Sequence, residues 1–184
     1  MSILKSERLI LRDFALTDWD VLNTMLADPL VTRYMHFSSW DEARRRAWLM
    51  EMAQEAQQSP RKWYNWAITL RNTGTLIGWL GIGGASHSPE AGTRGCGYAL
   101  NRHFWGRGYM PEAVSAIFTY EFTVLGMHRI LAECETPNTA SARVMQKCGM
   151  SHEGTFYDAD FEGNQAERHH YAITKTMFME LAKQ

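Results

Sequence analysis

The sequence is poor in cysteine and has no excess of either charge. Its three cysteines, Cys96, Cys134 and Cys148, are an odd number and form no C-x-x-C pair, which favours reduced thiols over a disulfide framework. The formal net charge is −1, so no basic surface predicts nucleic acid or an anionic membrane as a partner. A small partner, or one with a local charge, is compatible with this composition.

Long apolar runs and export signals are also missing. No stretch approaches the roughly 18 apolar residues that a membrane-spanning helix requires. The segment "MSILKSERLILRDF" lacks the basic region, apolar run and small-residue cleavage site of a signal peptide. We therefore expect a cytoplasmic protein without membrane contacts. The sequence leaves open whether it is a monomer or a homodimer.

The common motifs of metal and nucleotide sites are absent as well. The sequence contains neither H-E-x-x-H nor C-x-x-C, and the adjacent His169 and His170 would point to opposite faces of a strand. It also contains neither G-x-G-x-x-G nor G-x-x-x-x-G-K-[ST]. These absences predict no bound metal, no dinucleotide-binding fold and no P-loop.

What is present predicts one mixed domain over residues 1–184. Apolar residues make up 45% of the chain and charged residues 21%, as in an ordinary globular protein. Strands are predicted at 8–14, 63–70, 75–84, 95–101, 129–135, 152–161 and 166–174. Helices are predicted at 17–27, 40–57, 111–125, from 138 onward, and at 175–183. This order favours an α+β (mixed α/β) sheet over a strictly alternating parallel one.

The segment "NRHFWGRGYMPEAV" (101–114) carries a candidate anion site. The first N–H groups of a helix lack intrahelical acceptors, and the helix dipole places about half a positive charge there. Gly106 and Gly108 leave room for a phosphate to approach the backbone, and Pro111 suits a first helical turn. An ordinary glycine turn with normal capping explains the glycines equally well. The motif alone does not decide between the two interpretations.

The loop segment and a second segment together resemble a known family. "GYALNRHFWGRGYMPEAV", followed after a strand by "NTASARVMQKCGM", resembles the GCN5-related N-acetyltransferase (GNAT) superfamily, and most closely its RimJ/RimL-like branch. The resemblance extends from "SERLILRDF" to "HHYAIT", nearly the full chain. It implies a central, mostly antiparallel twisted sheet of about seven strands, with splayed middle strands and flanking helices.

The resemblance also implies acetyl-CoA as co-substrate. The family's pyrophosphate loop, Q/R-x-x-G-x-G/A, corresponds here to Trp105, Gly106, Arg107, Gly108, Tyr109 and Met110, and departs from that pattern at its first and last positions. Backbone groups of Leu100 and Asn101 would meet the pantetheine arm, and the Asn138 side chain would hold the cofactor near its amides. Asn138 and Ser141 are also good helix-capping residues, and Asn138 can serve both roles.

The implied chemistry is acetyl transfer to a primary amine by direct attack in a ternary complex. By resemblance, Ser141 would hydrogen-bond the departing thiolate, and Asp160 would occupy the position of the branch's catalytic glutamate. Nearby acids compete with Asp160 for the role of base, namely Asp158, Glu162 and Glu153. The alternative interpretation is that these acidic side chains only keep a surface turn hydrated.

The amine acceptor is left open by the sequence. A protein N-terminus, such as that of a ribosomal protein, and a small-molecule amine both fit. Four tryptophans, Trp40, Trp48, Trp63 and Trp66, either line an acceptor pocket or belong to the core, and core is the favoured interpretation. An acyl-CoA-binding module without turnover is the alternative from another functional class.

Overall fold

Eight strands form a single sheet in the computed structural model, which describes residues 3–84, 92–159, 165–181 and 183. The strands are β1 (Ile3–Lys5), β2 (Leu9–Asp13), β3 (Tyr64–Leu70), β4 (Leu76–Gly84), β5 (Thr93–Leu100), β6 (Arg129–Glu135), β7 (Ser151–Ala159) and β8 (Gln165–Thr174). Their order across the sheet is β1-β2-β3-β4-β5-β6-β8-β7. The α+β prediction is confirmed. Strand β1 was not predicted, because three residues are too few to show an alternating pattern.

Six α-helices surround the sheet within the described residues. They are α1 (Trp19–Ala27), α2 (Pro29–Thr32), α3 (Glu42–Glu55), α4 (Tyr109–Thr123), α5 (Thr139–Lys147) and α6 (Lys175–Leu181). The single turn of α2 was missed, although Asp28 caps it by accepting the Leu30 N–H at 3.0 Å. None of the described helices is both long and apolar enough to cross a membrane.

The middle of the sheet opens between β5 and β6. This pair is parallel, whereas the other neighbouring pairs are antiparallel. Pairing covers only Thr93 to Gly95 against Arg129 to Leu131, so both strands continue beyond their last shared bridge. The expected splay of the middle strands is confirmed. We call the space between the two diverging strand ends the central gap.

The two faces of the sheet carry separate apolar cores. Helix α4 packs on one face, where Phe118 and Ile117 are fully buried with Leu80 of β4. Helices α1 and α3 pack on the other face around Phe37 and Trp79. The sheet is therefore held between two helical layers, and the central gap opens at one end of that sandwich.

The tryptophans divide between these cores. Trp66 is fully buried in the α4-side core, which confirms the core interpretation for that residue. Trp40 and Trp48 pack against Phe37 with ring centroids 4.8 and 4.7 Å away. The ring of Trp63 covers Gly83 so closely that an added Cβ there would overlap it.

Candidate active site

Helix α4 begins without a side-chain cap. Its N-cap is Gly108, at φ +77°, and Gly106 stands at φ +73°. Only glycine adopts these values at little cost, which explains both glycines of the loop. The helix begins two residues before the predicted position, so Pro111 is its third residue rather than its first. The first-turn N–H groups have no intrahelical acceptor and are available to an anion.

The bulky residues at the ends of this loop are used for packing. Met110 is 5% exposed and belongs to the α4-side core. The indole Nε1 of Trp105 donates to the Leu100 carbonyl at 2.7 Å, fastening the end of β5 to the loop. Met110 therefore keeps its bulk away from the loop surface. The departures from the family pattern at positions 105 and 110 leave the backbone to form the cradle.

An ion pair stabilises the start of α4. Glu112 accepts the Arg8 N–H at 2.8 Å, the Arg8 Nε at 2.7 Å and the Ser6 hydroxyl at 2.7 Å. Burial opposes ionisation of Glu112, but these hydrogen bonds outweigh it and lower its pKa. Arg8 also donates to the Arg107 carbonyl at 3.0 Å. The carboxylate is thus neutralised and does not cancel the positive end of the helix.

Arg8 contacts the candidate loop, and sequence reasoning missed this residue. An ideal Cβ on Gly108 would lie 3.4 Å from Arg8 Nη2, so the guanidinium borders the loop. In the sequence, Arg8 precedes an apolar strand and lies 104 positions from Glu112. No local pattern signals such a distant contact.

The edge of β5 provides backbone groups to the central gap. Asn101 is turned away from it, because its N–H donates to the Ile77 carbonyl at 2.8 Å and its Oδ1 accepts the His103 N–H at 3.1 Å. Alternate residues of a strand direct their backbone groups to opposite neighbours. The backbone groups of Tyr98 and Leu100 are therefore directed toward the gap. The predicted contacts of Leu100 and Asn101 with a cofactor stay predictions.

Helix α5 begins with a side-chain cap on the other wall of the gap. Asn138 is its N-cap and accepts the Ser141 N–H at 3.2 Å through Oδ1. The capping role is confirmed, and the role of its amide toward a cofactor stays a prediction. The Ser141 hydroxyl lies 3.0 Å from the hydroxyl of Tyr98. The structure thus links β5 and α5 across the central gap.

Three side chains at the gap, those of Tyr98, Cys134 and Ser141, are neutral at physiological pH. Burial raises the pKa of the Cys134 thiol to about 11, although the Ser141 side chain and the Ala142 N–H partly offset the rise. Burial also raises the pKa of Tyr98, which keeps its phenol protonated. These three side chains therefore bring hydroxyl and thiol hydrogens to the gap rather than negative charge.

The candidate base is not described. Asp160 and Glu162 lie outside the described residues, and so does the side chain of Asp158. Glu153 is described and forms an ion pair with Arg129 at 2.5 Å. Arg129 begins β6, whereas the gap lies beyond its third residue, so Glu153 is held toward the opposite end of the strand.

The paired histidines point to opposite faces, as predicted. His169 Nδ1 lies 2.8 Å from the Thr155 hydroxyl, while His170 Nε2 lies 3.8 Å from Glu133 on the other face. Over the ranges that the structure describes, no three His, Cys, Asp or Glu side chains come together as a potential metal site.

Comparison with known proteins agrees with this geometry. Residues 8–151 match the family model described as "Acetyltransferase (GNAT) domain". An uncharacterized N-acetyltransferase, p20 of Bacillus licheniformis, is 32% identical over 158 residues, covering 86% of this chain and 87% of p20. The crystal structure of a GNAT-family acetyltransferase from Bacillus anthracis superposes with a TM-score of 0.80 at 29% identity, covering 95% and 99% of the two chains.

A ribosomal-protein acetyltransferase shares the same fold. RimL in complex with coenzyme A gives a TM-score of 0.79 at 19% identity, covering 94% of this chain and 98% of RimL. In that structure coenzyme A is joined by a disulfide to one of RimL's cysteines.

The family match accompanies two features of this structure, the short parallel pairing of β5 with β6 and the uncapped start of α4. The chain belongs to the GNAT acetyltransferase family and is an acetyl-CoA-dependent acetyltransferase.

Proposed function

We propose that this chain is a single acetyltransferase domain that transfers the acetyl group of acetyl-CoA directly to a primary amine in a ternary complex. One observation carries the proposal: the uncapped start of α4 follows β5 and the start of α5, which bears Ser141, follows β6, so both helix starts come after the diverging strand ends. The loop offers backbone donors for a pyrophosphate, and the far wall offers a hydroxyl for a sulfur. A CoA thioester has both groups, one at each end of its pantetheine arm.

The loop residues fit a pyrophosphate. Gly106 has nothing within 4 Å of an added Cβ, and the guanidinium of Arg8 borders Gly108. Backbone donors at a helix start suit a doubly charged anion, and the Arg8 guanidinium, although paired with Glu112, is a further donor group beside them. We assign the N–H groups of residues 106–110 to the pyrophosphate and the Leu100 and Tyr98 edge of β5 to the pantetheine arm. The Asn138 amide is assigned to the cofactor's own amides.

Ser141 is assigned to the leaving sulfur. Acetyl-CoA, when bound, supplies the acetyl group as a thioester. As the bond from the amine nitrogen to the acetyl carbon forms and the carbon–sulfur bond breaks, the Ser141 hydroxyl donates to the sulfur, which takes up the negative charge. A hydrogen bond to a charged group contributes about 1.5–3 kcal/mol. That corresponds to roughly ten- to a hundredfold in rate.

Asp160 is proposed to accept the proton that the amine loses, directly or through water. An α-amino group with a pKa of about 7.7–8.0 is roughly a tenth neutral at pH 7, so it needs modest help. The Asp160→Asn variant should lose most activity at low pH and recover part of it at high pH, since the variant retains shape without charge. A pH–rate profile parallel to that of the parent enzyme would dismiss Asp160 in favour of solvent or another acid.

The acceptor is proposed to be a protein N-terminus or a small-molecule amine. The near-neutral net charge, −1, gives no support to a strongly acidic or cationic acceptor. The three free thiols, of which Cys134 and Cys148 are buried, fit a cytoplasmic setting. The oligomeric state is proposed to be a monomer or a homodimer.

An acceptor screen tests this function. The protein and acetyl-CoA are incubated with one class of amine at a time, and the release of thiol is recorded. The classes are peptides with free N-termini, polyamines, amino acids and aminoglycosides. We expect one amine class to accelerate release and to yield its N-acetyl product by mass spectrometry. Tight CoA binding without acceleration by any class would instead indicate a binding module.

A further inference from the structure

Tyr98 reaches across the central gap to the candidate serine. It lies on β5 three residues beyond Gly95, where pairing with β6 ends, and its ring packs against the α4-side core. Its hydroxyl lies 3.0 Å from Ser141 Oγ and 3.2 Å from the Ser141 carbonyl oxygen. The Tyr98 hydroxyl thereby contacts two oxygen atoms of Ser141, in the first turn of α5.

The two contacts restrict the direction of both hydroxyl hydrogens. Tyr98 has one hydroxyl hydrogen, and the Ser141 carbonyl can only accept it, whereas Ser141 Oγ can accept or donate. Inside a helix that carbonyl also takes the N–H of the residue four positions later, so Oγ is the acceptor with more free capacity. When Tyr98 donates to Oγ, the Ser141 hydrogen is left for another acceptor, either the neighbouring Cys134 sulfur or a ligand sulfur in the gap.

We propose that Tyr98 is a positioning residue for acetyl transfer: its hydroxyl donates to Ser141 Oγ and directs the Ser141 O–H toward the thiolate sulfur of CoA. This inference rests on the proposed role of Ser141. No covalent bond to Tyr98 forms or breaks, and the phenol keeps its proton throughout.

Two further features support this role. Burial raises the pKa of Tyr98, so the phenol stays a donor over the working pH range and does not act as a base. Hydrogen bonds in a chain polarise one another, so donation from Tyr98 makes the Ser141 hydroxyl a stronger donor. The chain from Tyr98 through Ser141 to the sulfur therefore spreads the developing charge over two hydroxyl groups.

The thiol of bound CoA provides a readout that needs no acceptor. CoA labelled isotopically at the carbon bonded to sulfur is titrated by NMR in complex with the parent protein, Tyr98→Phe, Ser141→Ala and the double variant. The label distinguishes this thiol from the chain's own cysteines. We expect Tyr98→Phe to reduce the thiolate fraction about three- to tenfold, Ser141→Ala to reduce it further, and the double variant to match Ser141→Ala.

Tyr171→Phe is the matched control. Its hydroxyl accepts from Gln146 Nε2 of α5 at 3.2 Å, so the variant removes a tyrosine contact to the same helix away from Ser141. It should leave the CoA thiol unchanged. Calorimetric CoA affinity within about twofold of the parent, for each variant, verifies that the site is folded.

The outcomes separate this inference from the proposed function. If Ser141→Ala changes the CoA thiol but Tyr98→Phe does not, or if Tyr171→Phe matches Tyr98→Phe, the role of Tyr98 is overturned and that of Ser141 stands. If the losses of the single variants add in the double variant, Tyr98 acts without Ser141 and the inference also fails. An unchanged thiol in Ser141→Ala overturns the proposed role of Ser141, and the Tyr98 inference with it.

Discussion

Helices α4 and α5 begin at the same edge of the sheet, after the parallel strands β5 and β6, yet their first turns are completed differently. Helix α4 starts at Gly108, which has no side chain to cap it. Helix α5 starts at Asn138, whose Oδ1 accepts the Ser141 N–H at 3.2 Å. An uncapped start leaves donors for a ligand, whereas a capped start fixes the residues of its own first turn.

The contrast divides the work of the site between the two helices. In our account α4 binds the charged end of CoA through its backbone, and α5 positions one hydroxyl at the reacting end. Disrupting the start of α4 should weaken CoA binding, whereas removing the hydroxyl on α5 should slow acetyl transfer. The variants of Ser141, Gly108 and Asn138 described below each test one side of the comparison.

The largest effect is expected at Ser141. Ser141→Ala should lower kcat by about ten- to a hundredfold with little change in the KM for acetyl-CoA, because the hydrogen bond strengthens as the thiolate forms. Steady-state kinetics with the amine selected by the acceptor screen measure this split. A loss below about threefold, under ~1 kcal/mol, would reduce Ser141 to a residue of the helix cap.

Helix α4 also carries a buried ionisable side chain, that of Glu121, which is 0% exposed. Its Oε2 lies 3.3 Å from Arg94 Nε, and burial raises its pKa from 4.5 to about 7, against the lowering effect of Arg94. Folded Glu121 therefore holds its proton at pH values where the unfolded chain releases it. Its contribution to stability is complete below pH 4.5 and is lost as the pH rises through 7.

Urea unfolding measures this loss. Relative to Glu121→Gln, which cannot titrate, the parent protein should lose about 2 kcal/mol of unfolding free energy between pH 5 and pH 7. The comparison uses the pH dependence only, so any constant cost of the substitution cancels. Parallel stability curves would mean that Glu121 is already ionised in the folded protein at pH 5.

Gly108 tests the binding side of the contrast. Gly108→Val should weaken CoA binding about tenfold or more, ~1.4 kcal/mol, because its side chain strains a φ of +77° and its Cβ approaches Arg8 Nη2 at 3.4 Å. Isothermal calorimetry measures the affinity. Gly126→Val is the matched control, because Gly126 has φ +70° with nothing within 4 Å of an added Cβ and follows the other end of α4. Equal CoA affinity in both variants would remove the loop from the binding site.

Asn138 separates capping from cofactor binding. Asn138→Ala should cost about 1 kcal/mol of unfolding free energy through loss of the cap. Asn138→Asp retains an acceptor oxygen for the Ser141 N–H and should preserve stability, but it lacks the amide hydrogens assigned to CoA. We expect Asn138→Asp to weaken CoA binding severalfold with an unchanged melting temperature. Unaltered affinity would leave Asn138 with capping alone.

Local patterns were sufficient to predict most of the fold. Alternating apolar residues in 129–135 predicted β6 with its observed bounds, and the glycine loop and the Asn138 cap were both visible in the sequence. Strand β1 was missed because its pairing depends on Ile10 to Arg12 of β2 rather than on a pattern of its own. Proline suits a first helical turn, so the sequence predicts that α4 starts at Pro111, two residues after its observed start at Tyr109.

The site was harder to predict where contacts cross the fold. The Arg8–Glu112 pair joins residues 104 positions apart, and Tyr98 meets Ser141 over 43 positions. The second contact joins β5 to the helix that follows β6, so it depends on the arrangement of the sheet rather than on the sequence of either segment. Arginine before a strand and tyrosine within one are ordinary, so neither signalled a functional contact.

The most direct test of the account is a crystal structure of the protein with CoA. We predict the pyrophosphate on the N–H groups of residues 106–110, the pantetheine arm along the β5 edge of the central gap, and the sulfur within hydrogen-bonding distance of Ser141 Oγ. A pyrophosphate bound elsewhere, for example in the surface recess lined by His128, Lys175 and Lys183, with the central gap empty of the pantetheine arm, would contradict it.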